Sequence, residues 1–258
     1  MIEIIGEKTV TLDFMKNFLF LAAVALVLSG EAPAQSTRTV TRNDMVWFAY
    51  FGKYQLNEKK SIYFDFGLRR KDWLNNWSQV LFRPGVTYAL NERISFTAGV
   101  AYFSSYAPTY VRPEWRGWQQ VLVSEKIGRV TINQRVRAEQ RFNKKVMNNE
   151  VTDDFSYNNR FRYQLNVQLP LTRSSAKRQV YINLADEVML NCGKIITSNY
   201  FDQNRASAGL GLKWNNAFNV TASYMKLFQQ KAVNTYESDN VITVNIYHTL
   251  WSKKKDKS

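Results

Sequence analysis

One histidine, His248, and one cysteine, Cys192, are all that this 258-residue chain offers of the two most versatile metal-binding side chains. A lone cysteine excludes an intrachain disulfide and any cysteine-based metal cluster, and a lone histidine excludes a histidine pair for zinc. No glycine-rich loop stands at a strand-to-helix junction, so no phosphate cradle is expected. Five prolines are too few for a jointed or disordered chain. Long apolar runs are missing as well: the longest, from Phe18 to Leu28, falls short of the ~20 residues that a membrane-crossing helix needs. Together these absences leave neither a metal site nor a cofactor to expect.

Charge is not in short supply. Thirty-five Lys and Arg against 21 Asp and Glu give a formal charge of +14 and a pI near 9.8. Such a balance usually raises nucleic acid as a partner, but nucleic-acid binders gather their basic residues on one exposed face. Here many arginines alternate with apolar residues inside extended segments, so no nucleic-acid partner is expected. Arg129 to Phe142 shows the pattern best. Val130, Ile132, Val136, Ala138 and Phe142 fall on one side of a strand, and Thr131, Asn133, Arg135, Arg137, Glu139 and Arg141 on the other. A helix would scatter those arginines around its axis; a strand aligns them in one row.

The N-terminal region has the form of a secretory leader. Met15-Lys16-Asn17 is followed by the apolar run and by Ser29-Gly30-Glu31-Ala32-Pro33-Ala34, an Ala-x-Ala ending that predicts cleavage after Ala34. Residues 1–34 are therefore expected to be a signal peptide. Residues 1–14 precede a complete leader, which makes Met15 the expected start of translation. Residues 35–258 form the single mature domain with a short basic tail, Lys253-Lys254-Lys255-Asp256-Lys257.

The mature chain reads as strand, turn, strand throughout. The expected strands are 44–56, 61–70, 79–90, 94–106, 115–127, 129–142, 155–169, 179–190, 201–214, 218–229 and 241–251. Turns at 57, 91, 128 and 215 are short, whereas the links 71–78, 107–114, 143–154, 191–200 and 230–240 look longer, the asymmetry of outer-membrane barrels. Eleven strands conflict with the even number usual for single-chain bacterial barrels, so Ser36 to Arg42 is a candidate twelfth. The expected fold is all-β, an antiparallel transmembrane β-barrel of 10–12 strands with 12 favoured. A soluble barrel with its apolar face inward has the same alternation. The leader, the polar rows, and a girdle of Trp47, Tyr88, Tyr106, Trp115, Trp118, Trp214 and Trp251 favour the cell outer membrane.

Several segments, Arg112-Pro113-Glu114-Trp115-Arg116-Gly117-Trp118-Gln119-Gln120, Arg137-Ala138-Glu139-Gln140-Arg141-Phe142, Asn159-Arg160-Phe161-Arg162-Tyr163, Asp186-Glu187-Val188-Met189-Leu190-Asn191-Cys192-Gly193-Lys194 and Phe201-Asp202-Gln203-Asn204-Arg205, resemble landmarks of a bacterial family of unknown function, DUF2490. The likeness runs roughly from Trp47 to Leu250 and implies an outer-membrane β-barrel. It carries no activity and no catalytic residues.

Chemistry is therefore sought on the polar face, where Asp65, Arg69, Arg83, Arg135, Arg137, Glu139, Arg141, Arg160, Arg162, Glu187, Arg205 and Lys213 are expected to point into the barrel. Cations outnumber carboxylates in that set, which suits passage or binding of small anionic solutes. The competing reading is a structural or surface barrel whose lumen is closed by ion pairs. Asp186 and Glu187 are adjacent, so they face opposite ways and form no catalytic dyad. Glu187 or its neighbour would pair with a luminal arginine while the other lies at the membrane edge. A barrel-type hydrolase needs more than His248, which lacks an evident serine partner, so an enzyme is not expected. Gly209 and Gly211 share a strand face and should admit a bulky neighbour such as an arginine. The expected partners are outer-membrane lipid and lipopolysaccharide, the latter near Lys144 and Lys145, and the barrel-assembly machinery.

Overall fold

The structure, a computed structural model, describes residues 38–173, 176–194, 196 and 199–251. The expected leader, its cleavage point and the Lys-rich tail lie outside these residues. Twelve strands make up the fold: β1 (Thr39–Thr41), β2 (Asp44–Gln55), β3 (Lys60–Lys71), β4 (Asn76–Ala89), β5 (Ile94–Tyr106), β6 (Val111–Ile127), β7 (Val130–Met147), β8 (Glu150–Pro170), β9 (Gln179–Cys192), β10 (Phe201–Lys213), β11 (Phe218–Ala232) and β12 (Thr235–Trp251). Each strand from β2 to β12 pairs antiparallel with the next, and β12 returns to pair with β2, which closes the sheet into a barrel.

Eleven strands form the wall, and the odd number has a geometric consequence. Antiparallel neighbours alternate in direction, so an odd circuit leaves two like-directed strands to meet; β12 and β2 accordingly pair in parallel. The twelfth strand lies within the stretch expected to supply it. It also runs parallel to β12, with Thr39 opposite Thr235 as Asp44 is opposite Asn240. Thus β1 prolongs β2 along the same neighbour and adds nothing to the circumference.

The two ends of the barrel differ in ribbon length rather than loop length, which corrects the expectation of long links on one side. The segments 143–154 and 230–240 are mostly strand, and 107–114 is half strand. Val146 opposite Val151 and Met147 opposite Glu150 carry the β7–β8 ladder to a two-residue turn at Asn148-Asn149, both with positive φ (53° and 64°). Asparagine tolerates that conformation, and paired positive φ values suit a hairpin whose twist matches its strands. The β11–β12 hairpin turns as tightly, with Asn234 at φ 55°.

The two faces of the wall have opposite character. Phe66, Phe82, Val86, Val100, Val136, Phe161, Leu210 and Ile242 are exposed on the outside. The buried side chains are mostly polar or charged, among them Asp65, Arg83, Glu114, Arg116, Arg137, Glu139, Arg160, Arg162 and Glu187. A water-soluble barrel has the reverse arrangement. Two smaller apolar groups also face inward: Met45, Met225, Leu227 and Val241 with Trp47 beside the β12–β2 seam, and Leu81, Ala101, Phe103 and Trp118 with Tyr63 on β3–β6.

Candidate functional site

Alternation places the odd-numbered residues of β7 and the even-numbered residues of β6 and β8 toward the axis, and the site grows from those rows. Glu139 on β7 is its hub. Fully buried at 1% exposure, its carboxylate accepts from Arg160 Nη2 at 2.6 Å, Arg162 Nη1 at 2.7 Å and Arg116 Nη1 at 3.1 Å. Arg137 Nη1 lies 3.7 Å away and Arg83 Nη1 3.9 Å. Four further carboxylates surround this hub. Asp65 holds Arg83 at 2.8 Å and accepts from the Tyr63 hydroxyl at 2.6 Å; Glu114 holds Arg116 at 2.6 Å and Arg141 at 2.7 Å. Glu187 holds Arg135 at 2.5 Å and Arg162 at 2.8 Å, with Arg205 at 3.6 Å, and Asp202 holds Arg160 at 2.9 Å.

Eight arginines thus share five carboxylates. The imbalance shows in the individual contacts. Arg137 gives Nε and Nη2 to Gln120 Oε1, while its buried Nη1 has no hydrogen bond among the described residues; Arg135 Nε is in the same position. Arg69 donates to Gln79 Oε1 at 2.7 Å and lies 4.0 Å over the Trp47 ring, with no carboxylate within ion-pair distance among the described residues. Arg205 is 5.0 Å from the same indole. Aromatic faces stabilise cations that lack an anion, which is the role Trp47 and Trp118 take here.

A cavity of about 1030 Å³ runs beside this network, reaching Lys213 and Asn215 at one end and Tyr106, Tyr110 and Lys231 at the other. Of the twelve charged residues expected to face the lumen, eleven line that cavity: Asp65, Arg69, Arg83, Arg135, Arg137, Arg141, Arg160, Arg162, Glu187, Arg205 and Lys213. The twelfth, Glu139, is enclosed by the arginines it binds. Lys213 stands apart from the ion-paired belt, beside the β10–β11 turn.

Sequence reasoning left Glu114, Arg116 and Asp202 out of the luminal set. The signal for the first two was present: Glu114, Arg116 and Trp118 alternate on one face of β6. Trp118 is expected in the girdle, however, and the structure corrects this. It is 1% exposed, its Nε1 donates to Val100 O at 3.1 Å, and Arg137 sits 4.8 Å over its ring. Trp47 likewise lines the cavity instead of the outer rim. Asp202 carried no alternation signal, because an irregularity in the β9–β10 register between Phe201 and Gln203 leaves both Asp202 and Gln203 buried.

Other expected features fall as follows. Asp186 is exposed outside while Glu187 is inside, although Asp186 sits midway along β9 and not at an edge. The bulky neighbour beside Gly211 is a tyrosine, not an arginine: a Cβ there would lie 2.0 Å from Tyr181 Cζ. His248 Nδ1 is 2.9 Å from the Tyr50 hydroxyl, with Phe218 edge-on to its ring. Lys144 and Lys145 pair with Asp153 and Asp154 on the overhanging β7–β8 ribbon.

A family model described as "Protein of unknown function (DUF2490)" matches residues 44–237. No curated protein and no solved structure matches the chain.

Proposed function

The chain belongs to the DUF2490 family, and from that premise we propose that it is an outer-membrane β-barrel that binds or passes small anionic solutes through its arginine-lined lumen. One observation carries the reading: guanidinium groups outnumber carboxylates around a cavity of about 1030 Å³ whose lining extends to both ends of the barrel. A ring of cations with spare N–H groups lowers the free energy of an anion and raises that of a cation, so it selects by sign. The membrane placement draws support from the apolar outer wall, which lipid can cover, and from an interior whose polar groups bond to one another. Outer-membrane lipid, lipopolysaccharide and the barrel-assembly machinery are the partners this placement entails. No enzymatic step is proposed.

A second reading rests on a specific observation. Arg160, Arg162 and Arg116 all donate to Glu139, the four side chains are almost fully buried, and such a belt can close a lumen. The protein would then be a structural or surface barrel without transport. Planar-bilayer recordings of the purified protein under a KCl gradient separate the two. Openings with a reversal potential on the chloride side support anion passage. Silence, together with no binding of phosphate or succinate by calorimetry, supports the closed barrel.

A further inference from the structure

The outward face of β9–β12 and β2 carries a feature that lipid does not explain. Asp186 is paired across the sheet with Ala206, Ala206 with Lys226, Lys226 with Asn240, and Asn240 with Asp44. These five residues form one row crossing five strands, all on the outer face. The row is hydrogen-bonded at each end, on either side of Ala206. Asn204 Nδ2 donates to Asp186 Oδ1 at 2.6 Å, and Lys226 Nζ and the Tyr224 hydroxyl both donate to Asn240 Oδ1, at 2.9 and 2.7 Å. Asn240 Nδ2 donates to Asp44 Oδ1 at 2.9 Å. Asp186 and Lys226 nevertheless have no ion-pair partner among the described residues. Asp186 lies near the middle of β9, flanked on the same face by Leu184 and Val188; Lys226 lies between Tyr224 and Phe228, nearer the rim, where Arg38 stands 5.2 Å over the Phe228 ring. On a lipid-facing wall the depth of Asp186 is where an unpaired charge is least tolerated.

Beside Asp186 the wall is hollow. Ala206 and Ala208 form the floor of a depression of about 400 Å³ walled by Leu165, Val167, Leu184 and Tyr224. We propose that a second copy of this chain docks here, about a two-fold axis that runs along the membrane normal beside Ala206. The geometry is self-complementary. Asp186 and Lys226 lie on opposite sides of Ala206, so a two-fold rotation there sets each carboxylate against the other copy's ammonium, and does so twice. Strands tilted by the usual 35–45° put the two charges at heights differing by roughly 6 Å, within the length of a lysine side chain. The alanine floor allows close approach, and each Tyr224 faces the other copy's Leu184 wall.

This inference rests on the membrane placement proposed above, and its test separates the two. The full chain is purified in detergent and returned to lipid nanodiscs, and its mass is read by native mass spectrometry. A dimer is expected for the parent protein. Asp186→Lys and Lys226→Asp each place like charges together and should weaken dimerisation at least tenfold. The double variant D186K/K226D restores the pairing with signs exchanged and should recover the dimer. In a Cys192→Ser background, Ala206→Cys should form a disulfide-linked dimer under mild oxidation, because the axis brings the two positions together. A monomeric parent protein, or a double variant as weak as the single ones, would overturn the proposal. Heat-modifiable mobility in a denaturing gel verifies that each variant is a folded barrel. Flotation with liposomes reports separately on the membrane placement, since a protein that stays in the aqueous fraction refutes that placement whatever its mass.

Discussion

Replacing Glu139 by Gln removes the hub of the luminal network while conserving its shape. The cost follows from what each neighbour has left. Arg160 keeps Asp202 at 2.9 Å, Arg162 keeps Glu187 at 2.8 Å and Arg116 keeps Glu114 at 2.6 Å. Arg83 keeps Asp65. Among the described residues, only Arg137 loses its sole carboxylate within 4 Å. The loss therefore corresponds to one broken buried pair and not to three, about 3–5 kcal/mol. The retained amide oxygen places Glu139→Gln near the lower end, and the extra space left by Glu139→Ala places that variant near the upper end. At 1.4 kcal/mol per factor of ten, the folded-to-unfolded ratio falls by roughly a hundredfold or more. Arg137→Met acts with the opposite sign on the charge imbalance. It removes a cation whose Nη1 has no hydrogen bond among the described residues, but it also takes both Arg137 donors from Gln120 Oε1, and it is expected to cost about 1–3 kcal/mol. Equilibrium urea unfolding in detergent micelles, followed by tryptophan fluorescence, measures both. A Glu139→Gln loss below about 1 kcal/mol, the magnitude of a hydrated surface pair, would refute the reasoning, because the belt would then be solvated from the cavity.

Three other substitutions probe separate parts of the molecule. Arg69→Gln removes a luminal cation without breaking an ion pair, so the reversal potential under a KCl gradient should move toward zero while the unfolding midpoint stays put; an unchanged potential removes Arg69 from the conduction path. Gly211→Val drives a branched side chain into the Tyr181 ring, breaks that hydroxyl's 2.9 Å bond to Asn219, and should cost about 1–3 kcal/mol in the same urea titration. His248→Gln loses the contact to Tyr50 and should leave phospholipid vesicles as intact as the parent protein does. A hydrolysis abolished by that one change would reinstate a barrel hydrolase.

The sequence was most legible where the outer face and the axis side of the wall make different demands. Along β7 the alternation of Val136, Ala138 and Phe142 with Arg135, Arg137 and Arg141 set the phase, and the structure has that phase. Beyond Asn143 both faces of the ribbon are largely exposed, so Lys144 to Asp154 present no alternation and resemble a loop despite continuing as strand. Aromatic residues were ambiguous for a different reason. An indole at an interface and an indole supporting buried guanidinium groups look identical in sequence, and only the neighbours Glu114 and Arg116 distinguish Trp118 from Trp115. The pairing of a given arginine with a given carboxylate was not legible at all. It depends on the stagger between strands far apart in the chain, as between Arg160 on β8 and Asp202 on β10.

The distribution of side chains around the lumen follows from the parity of the wall. An odd count requires one parallel ladder, and parallel pairing is slightly weaker per residue than antiparallel pairing. The charged belt avoids that ladder: its carboxylates and arginines come from β3, β4 and β6–β10. Against the seam itself stand Met45, Trp47, Met225, Leu227 and Val241, together with the stacked rings of Phe51 and Tyr247, 4.9 Å apart. Apolar contacts tolerate small shifts of one strand along another, whereas a bidentate arginine pair does not. Asn43 adds a directional lock. It interrupts the β1–β2 strand and gives both its backbone N–H and its side-chain amide to Asp239 Oδ1, at 3.0 and 2.8 Å. Apolar packing thus secures the one weak ladder, and the orientation-sensitive ion pairs are confined to the antiparallel part of the wall, where the register holds their partners in place.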